Sequence, residues 1–369
     1  MLESIIDTIC SCCYPIWDHS NSYITVNGRK YRLNGLLSEN TLSFTYMVSI
    51  QNASSSVLID QDFDTNRLVL KQIICPFGNI ENISDALTEI KNYKTYNSKY
   101  IIKYIDSEVL QSYDGSKTVV ILLPYYPRGP LKDLLSLNIL NGVSSMSEKE
   151  IVRLMIGICK GLLILHDPTT NEEFQDEEDE TSSVFMEIDR DAASYLIDTP
   201  LEMGLLSSPR SSFGSLIHLD IEPSSILLSN EGTPIISQLV SIFSNDMEFK
   251  SDVDVARFKE WVSCHCNIYY TAPEVINIKK NSMIDCSVDI WSLGCVLYTL
   301  MFGISPFDRE EQINGLSLQH NISNGLYSIP QDAPYSQALV DIIKSCLKID
   351  AILRPTTNEL LTQLQTISI

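Results

Sequence analysis

Three groups decide the fold: Ala272-Pro273-Glu274, Asp289-Ile290-Trp291-Ser292-Leu293-Gly294 and Arg354-Pro355, the second running on through Ser292 to Phe307 as SLGCVLYTLMFGISPF. They follow one another along the half of the chain whose apolar periodicity is helical. Upstream in that half, Ile151, Leu154, Met155, Ile158, Leu162 and Leu165 form a stripe, and Ser147-Glu148-Lys149-Glu150 opens it with the signature of a capping box. From about Tyr23 to Leu123 the pattern is different. Short runs such as Lys30 to Leu37 and Arg67 to Ile74 alternate apolar and polar residues between Asn, Gly and Ser clusters, which predicts strands. One helix is predicted within them, from Ile83 to Tyr96, where Ala86, Leu87, Ile90 and Tyr93 recur at helical spacing. A strand-rich half followed by a helical half predicts the α+β class.

Composition narrows the possible partners. A net charge of −21 over 369 residues opposes nucleic-acid binding, which needs a surface of Lys and Arg to neutralise phosphates. Ten of the acids fall between Glu172 and Asp191 against the single base Arg190. With the Ser- and Pro-containing stretch Ser207 to Ser212, this predicts a polar, self-repelling insertion over 167–216. The ten cysteines lack a secretory spacing and no cleavable leader pattern opens the sequence, so a reducing compartment and free thiols are expected. No apolar stretch approaches the roughly eighteen residues of a spanning helix. Cys264-His265-Cys266 is too compact for three ligands on one tetrahedral zinc, and no second pair follows it.

The order and spacing of the three opening groups resemble those of protein kinases. The resemblance implies a bilobal fold: an N-lobe over 21–123, a hinge with first C-lobe helices over 124–166, and a C-lobe over 217–369. It further implies that Glu274 pairs with Arg354 and that Asp289 holds the catalytic loop. In Leu68-Val69-Leu70-Lys71, Lys71 occupies the place of the lysine that grips the α and β phosphates of ATP, and Glu89 that of its partner. Val69, Leu123, Tyr125 and Tyr126 would line the adenine side, with Leu123 to Tyr126 as the hinge. In His218-Leu219-Asp220-Ile221-Glu222-Pro223-Ser224-Ser225, Asp220 stands at the position of the catalytic base.

Several departures converge on one chemistry. Glu222 stands where kinases have a lysine facing the transferring phosphoryl group. Ser225 replaces a metal-binding asparagine, and Gln238 replaces the metal-binding aspartate of the DFG-type motif. Neither is a good ligand for a hard cation such as magnesium. The expected glycine-rich loop, Leu37 to Phe44, has Ser38, Asn40 and Ser43 in place of glycines. Leu219 removes an arginine that commonly grips a phosphorylated activation segment. At about 4 Å and an effective dielectric near 20, one pair of charges is worth on the order of 4 kcal/mol, and each ~1.4 kcal/mol changes a rate about tenfold. ATP therefore remains a candidate ligand, magnesium binding is expected to be weak or lost, and the chain reads as a pseudokinase or a weak, atypical kinase.

Leu122 to Gly129 (LLPYYPRG), Gly157 to Leu162 (GICKGL) and Phe258-Lys259-Glu260-Trp261 narrow the resemblance to the Numb-associated kinase family, in the branch of small acylated serine/threonine kinases with a fungal vacuole-membrane relative. That resemblance implies acyl chains on Cys10, Cys12 and Cys13 in a tail over 1–20, and attachment to the cytoplasmic face of an internal membrane, vacuolar or Golgi. No glycine follows Met1, so myristoylation is not expected. The expected partners are proteins, as substrates or ligands, and a membrane surface.

Overall fold

A computed structural model describes residues 23–50, 66–140, 146–167, 215–245, 247–331 and 334–367. Cys10, Cys12 and Cys13, and positions 168–214 of the expected insertion, lie outside the described residues. The chain forms two compact units. One holds the described residues up to Asn97 with Ile101–Leu131 and Leu227–Val240, and the other holds the remainder.

The first unit is built on a six-stranded antiparallel sheet of β1 (Tyr23–Val26), β2 (Arg29–Glu39), β3 (Ser43–Ile50), β4 (Arg67–Cys75), β5 (Asp106–Gln111) and β6 (Lys117–Pro124), in the order β1-β2-β3-β4-β6-β5. Alternation sends Leu68 and Leu70 of β4 to one face, where they pack with Ile24, Val26, Tyr31, Val48, Val120 and Leu122. Each such side chain contributes about 2 kcal/mol on burial. Lys71 points to the other face, in register with Thr45 on β3 and Ile121 on β6. β6 lies between β4 and β5, and Val119 to Leu122 are wholly buried, which explains its unbroken apolar run.

Helix α1 spans Ile80–Thr95 and packs on β4 and β6. It begins three residues before the predicted start because the Asn79 side chain accepts the Asn82 N–H and caps the first turn. Its inward residues are Ala86, Glu89, Ile90 and Tyr93. Leu87, predicted inward, is exposed, because the helix turns the Glu89 face toward Lys71.

The second unit contains α2 (Leu131–Leu140), α3 (Glu148–His166), α4 (Asp252–His265), the single turn α5 (Pro273–Ile276), α6 (Ser287–Phe302), α7 (Pro306–Asn314), α8 (Leu318–Asn324), α9 (Gln337–Cys346) and α10 (Thr357–Thr366). Ser147 and Glu150 form the capping box that the sequence predicts for α3. Every residue from Val288 to Met301 of α6 is buried, so this helix is the axis of the unit. Gly294 permits that packing, since a Cβ there would lie 2.7 Å from the Cβ of Cys346. Among the described residues no single helix is long and apolar enough to cross a membrane; α6 and α7 pass that test only together, across a 68° bend.

Candidate active site

In the first unit, the strand position of Lys71 and the helix position of Glu89 bring the two side chains together. Lys71 Nζ lies 2.6 Å and 2.8 Å from the two Glu89 carboxylate oxygens. The carboxylate is buried and needs more than one donor to offset its lost hydration. Tyr93, one turn on, supplies it: its hydroxyl donates to Glu89 Oε1 at 2.9 Å. Burial raises the Tyr93 phenol well above its usual range, and the negative Glu89 adds to the rise, so it stays a donor. The i,i+4 spacing of Glu89 and Tyr93 was the available signal for this contact, but Tyr93 registers in the sequence only as part of an apolar stripe.

The same helix is tied to the Gln238 region. Asn92 Nδ2 donates to the Leu239 carbonyl at 2.8 Å. Gln238 has a φ of 60°, a left-handed conformation that costs an ordinary residue roughly 1–2 kcal/mol. Its side chain is exposed between the buried Ser237 and Leu239. The fold holds this backbone in place although the residue that occupies it is neutral.

On the expected adenine side, Val69 and Leu123 are cross-strand partners, Leu123 and Tyr126 are buried, and the Arg67 guanidinium lies 5.0 Å from the centre of the Tyr125 ring. The expected glycine-rich loop is a hairpin whose register shifts between Leu36 and Ser38. Ser38 and Glu39 pair with Thr45 and Phe44, the Asn40 N–H donates to Ser43 O at 2.8 Å, and none of these residues has a positive φ. Glycine's absence therefore imposes no backbone strain here, and what remains of the argument is closeness of approach.

In the second unit, the catalytic loop hangs from Asp289 in the first turn of α6. The fully buried Asp289 carboxylate accepts the His218 N–H at 2.7 Å, the Leu219 N–H at 2.8 Å and the His166 Nε2–H at 2.9 Å. His166 is oriented in turn by the Thr357 hydroxyl, 2.6 Å from Nδ1. This grip holds Leu219 at a φ of 66°, with its side chain buried. Glu274 and Arg354 form the expected ion pair, at 2.6 Å and 2.9 Å.

Asp220 is almost wholly buried, and its Oδ1 accepts the Asn267 N–H at 3.0 Å. Burial, and secondarily the neighbouring Glu222, push its carboxyl up to about 7. A carboxyl raised this far is partly protonated at neutral pH, and only its ionised form can act as a base. Glu222 Oε2 accepts the Asn267 side-chain amide at 2.6 Å. Burial raises the Glu222 carboxyl, opposed by that bond and by the charge of Lys132. Ser225 is fully buried, and its hydroxyl is engaged by the Glu222 backbone, accepting from its N–H and donating to its carbonyl at 3.0 Å each.

Two features escape sequence reading. Asn267, 45 residues from Glu222, carries no recognisable signal. Helix α4 does carry one: Ser251 and Asp254 form a reciprocal capping box, and Phe258 and Trp261 follow at helical spacing. They pack against Phe243, with ring centres at 6.0 Å and 4.6 Å, anchoring the helix within the expected activation segment.

Comparison with known proteins agrees with this architecture. Residues 213–364 match the protein kinase domain family. The chain is 44% identical over 355 residues to serine/threonine-protein kinase ENV7 of Saccharomyces cerevisiae, covering 96% of this chain and 95% of that protein. It is 30% identical over 368 residues to serine/threonine-protein kinase ppk13 of Schizosaccharomyces pombe, covering 98% and 97%. Human serine/threonine-protein kinase 16 is 27% identical over 308 residues, 84% of each chain. Identity at this level, sustained over nearly the whole length of two relatives, places the chain in the serine/threonine branch of the protein kinase family.

Proposed function

We propose that this kinase-family protein is a membrane-tethered pseudokinase, working mainly by binding and regulating protein partners. The observation that carries the reading is the state of the metal positions. Ser225 is spent on a closed turn with Glu222, and Gln238 offers a neutral amide. Those groups do not fit magnesium, a small cation that gives up its water reluctantly and prefers carboxylates. A nucleotide fits better. Lys71, steadied by Glu89 and Tyr93, would meet its phosphates as a fixed positive charge.

A second reading, a weak or atypical ATP-dependent serine/threonine kinase, is favoured by the intact Lys71–Glu89 pair, by Asp220 and by the names of the relatives. Thermal shift of the full chain with ATP, run with magnesium and with EDTA, tests the two. Saturation at about a hundred times Kd contributes about 2.7 kcal/mol, or a Tm rise of roughly 5–10 °C. The pseudokinase reading expects either no rise or the same rise in EDTA, the latter marking a metal-independent nucleotide sensor. A rise seen only with magnesium, together with autophosphorylation abolished by Asp220→Asn, would overturn it.

The tether rests on Cys10, Cys12 and Cys13 beside Ile5, Ile6 and Ile9, and on the family resemblance. Two or three acyl chains hold a protein stably, at about 0.8 kcal/mol per buried methylene, where one does not. Such chains would place the protein on the cytoplasmic face of an internal membrane, vacuolar or Golgi. Replacing all three cysteines by serine is expected to move it from the membrane pellet to the soluble fraction. Unchanged pelleting sinks the acyl anchor.

A further inference from the structure

We infer that Glu222 and Asn267 are a matched donor–acceptor lock that fastens the end of the activation segment to the catalytic loop and positions Asp220. Glu222 is on this account a positioning residue with a partner of its own, and not only the site of a lost lysine. The lock goes beyond the proposed function, since it holds whether or not phosphoryl transfer survives.

Every polar group of Asn267 is engaged. Its N–H donates to Asp220 Oδ1 at 3.0 Å and its side-chain Nδ2 to Glu222 Oε2 at 2.6 Å. Its Oδ1 accepts the Tyr269 N–H at 3.2 Å, capping the short turn Ile268–Tyr270. Its backbone carbonyl accepts the Tyr270 N–H and the Thr271 hydroxyl, both at 3.0 Å. Glu222 is held from its other side by Ser225, whose hydroxyl and N–H bind the Glu222 main chain. One residue thus touches both carboxylates of the loop and fixes their spacing.

The orientation of the Asn267 amide follows from these partners. Turning it over would set NH₂ against the Tyr269 N–H and the amide oxygen against the Glu222 carboxylate, two repulsive contacts in a half-buried place. Nδ2 therefore requires an acceptor at position 222. A lysine there would set an ammonium, which only donates, against another donor. A hydroxyl at position 267 both accepts and donates, and so would tolerate that lysine. Restoring lysine alone should consequently damage the loop, whereas changing both residues should not.

A double-mutant cycle on the full chain, read by Tm, tests the coupling. Glu222→Lys is expected to lower Tm by about 3–5 °C, and Asn267→Thr by less, since its hydroxyl can still donate to Glu222. The double variant should recover at least half of the summed loss; strictly additive losses overturn the lock. Glu222→Gln gives a second test should Glu222→Lys not fold. Its side-chain carbonyl accepts the same bond from Asn267, so Tm should stay within about 1 °C, and a loss as large as that of Glu222→Lys overturns the lock.

Positioning is distinguished from mere support by the titration of Asp220, followed through its carboxyl carbon by NMR. The groups that face Asp220 are Glu222, Asp289 and Cys266, with the His218 ring accepting its backbone N–H. Removing the Glu222 charge in Glu222→Gln should lower the Asp220 midpoint from near 7, since a nearby negative charge favours the protonated carboxyl. An unmoved midpoint overturns the positioning role.

Discussion

Arg354→Met is expected to destabilise the helical unit by about 3–5 kcal/mol, lowering Tm by on the order of 10 °C. All five guanidinium donors are in use. Nη1 and Nη2 bind the two Glu274 oxygens at 2.6 Å and 2.9 Å; the remaining three bind the carbonyls of Ser287, Ile349 and Lys348 at 2.9 Å, 3.3 Å and 2.8 Å. The Arg354 side chain is wholly buried, with its charge 5.0 Å from the centre of the Trp291 ring. Methionine preserves much of the volume and none of the donors, so a carboxylate and three carbonyls lose their partner together. Arg354→Lys should recover only a minor part, because an ammonium has three donors and no planar fork. Glu274→Gln should cost less than Arg354→Met, since Glu274 is 23% exposed and water can replace part of what it loses. Urea unfolding followed by tryptophan fluorescence measures all three. An Arg354→Met protein within about 1 kcal/mol of the parent would show that the pair is dispensable.

Arg354, Glu274 and Asp289 were legible in the sequence because their roles are structural and sit in short groups with fixed order. The Lys71–Glu89 pair was legible for a related reason. A strand followed by a helix carries one residue from each to the same place, and period-two and period-3.6 patterns reveal both elements. What the sequence hid depends on contacts between distant segments or on backbone angles. Asn267 gains its meaning only from Asp220 and Glu222. Ser225 reads as a poor metal ligand, but its use in a turn with Glu222 is visible only in three dimensions. The start of α1 precedes its apolar stripe because the Asn79 cap lies outside that stripe, and α4 carries its capping box with only Val255 and Phe258 buried behind it. The loop around Ser38, Asn40 and Ser43 is the reverse case. Three residues stand where glycines are expected, and none of them takes a positive φ.

The largest gain in activity is expected from changing four residues together: Glu222→Lys, Asn267→Thr, Ser225→Asn and Gln238→Asp. Autophosphorylation by this variant should exceed that of the parent by at least about 100-fold, equivalent to roughly 2.7 kcal/mol in the barrier. Replacing glutamate by lysine reverses two units of charge, and at an effective dielectric near 20 each unit at about 4 Å is worth on the order of 4 kcal/mol, so this threshold already discounts heavily for solvent. The backbone favours the change at Gln238, since its φ of 60° is one that aspartate tolerates better than glutamine does. At Ser225, an asparagine carbonyl can accept the Glu222 N–H that the serine hydroxyl now holds. The same four changes without Asn267→Thr should gain markedly less, because lysine would then face the Asn267 amide donor. Comparing the three-residue and four-residue variants therefore separates the effect of new metal ligands from that of a residue at position 267 that accommodates a lysine. If neither variant exceeds the parent, the loss of charge and metal ligands at these positions does not limit phosphoryl transfer in this protein.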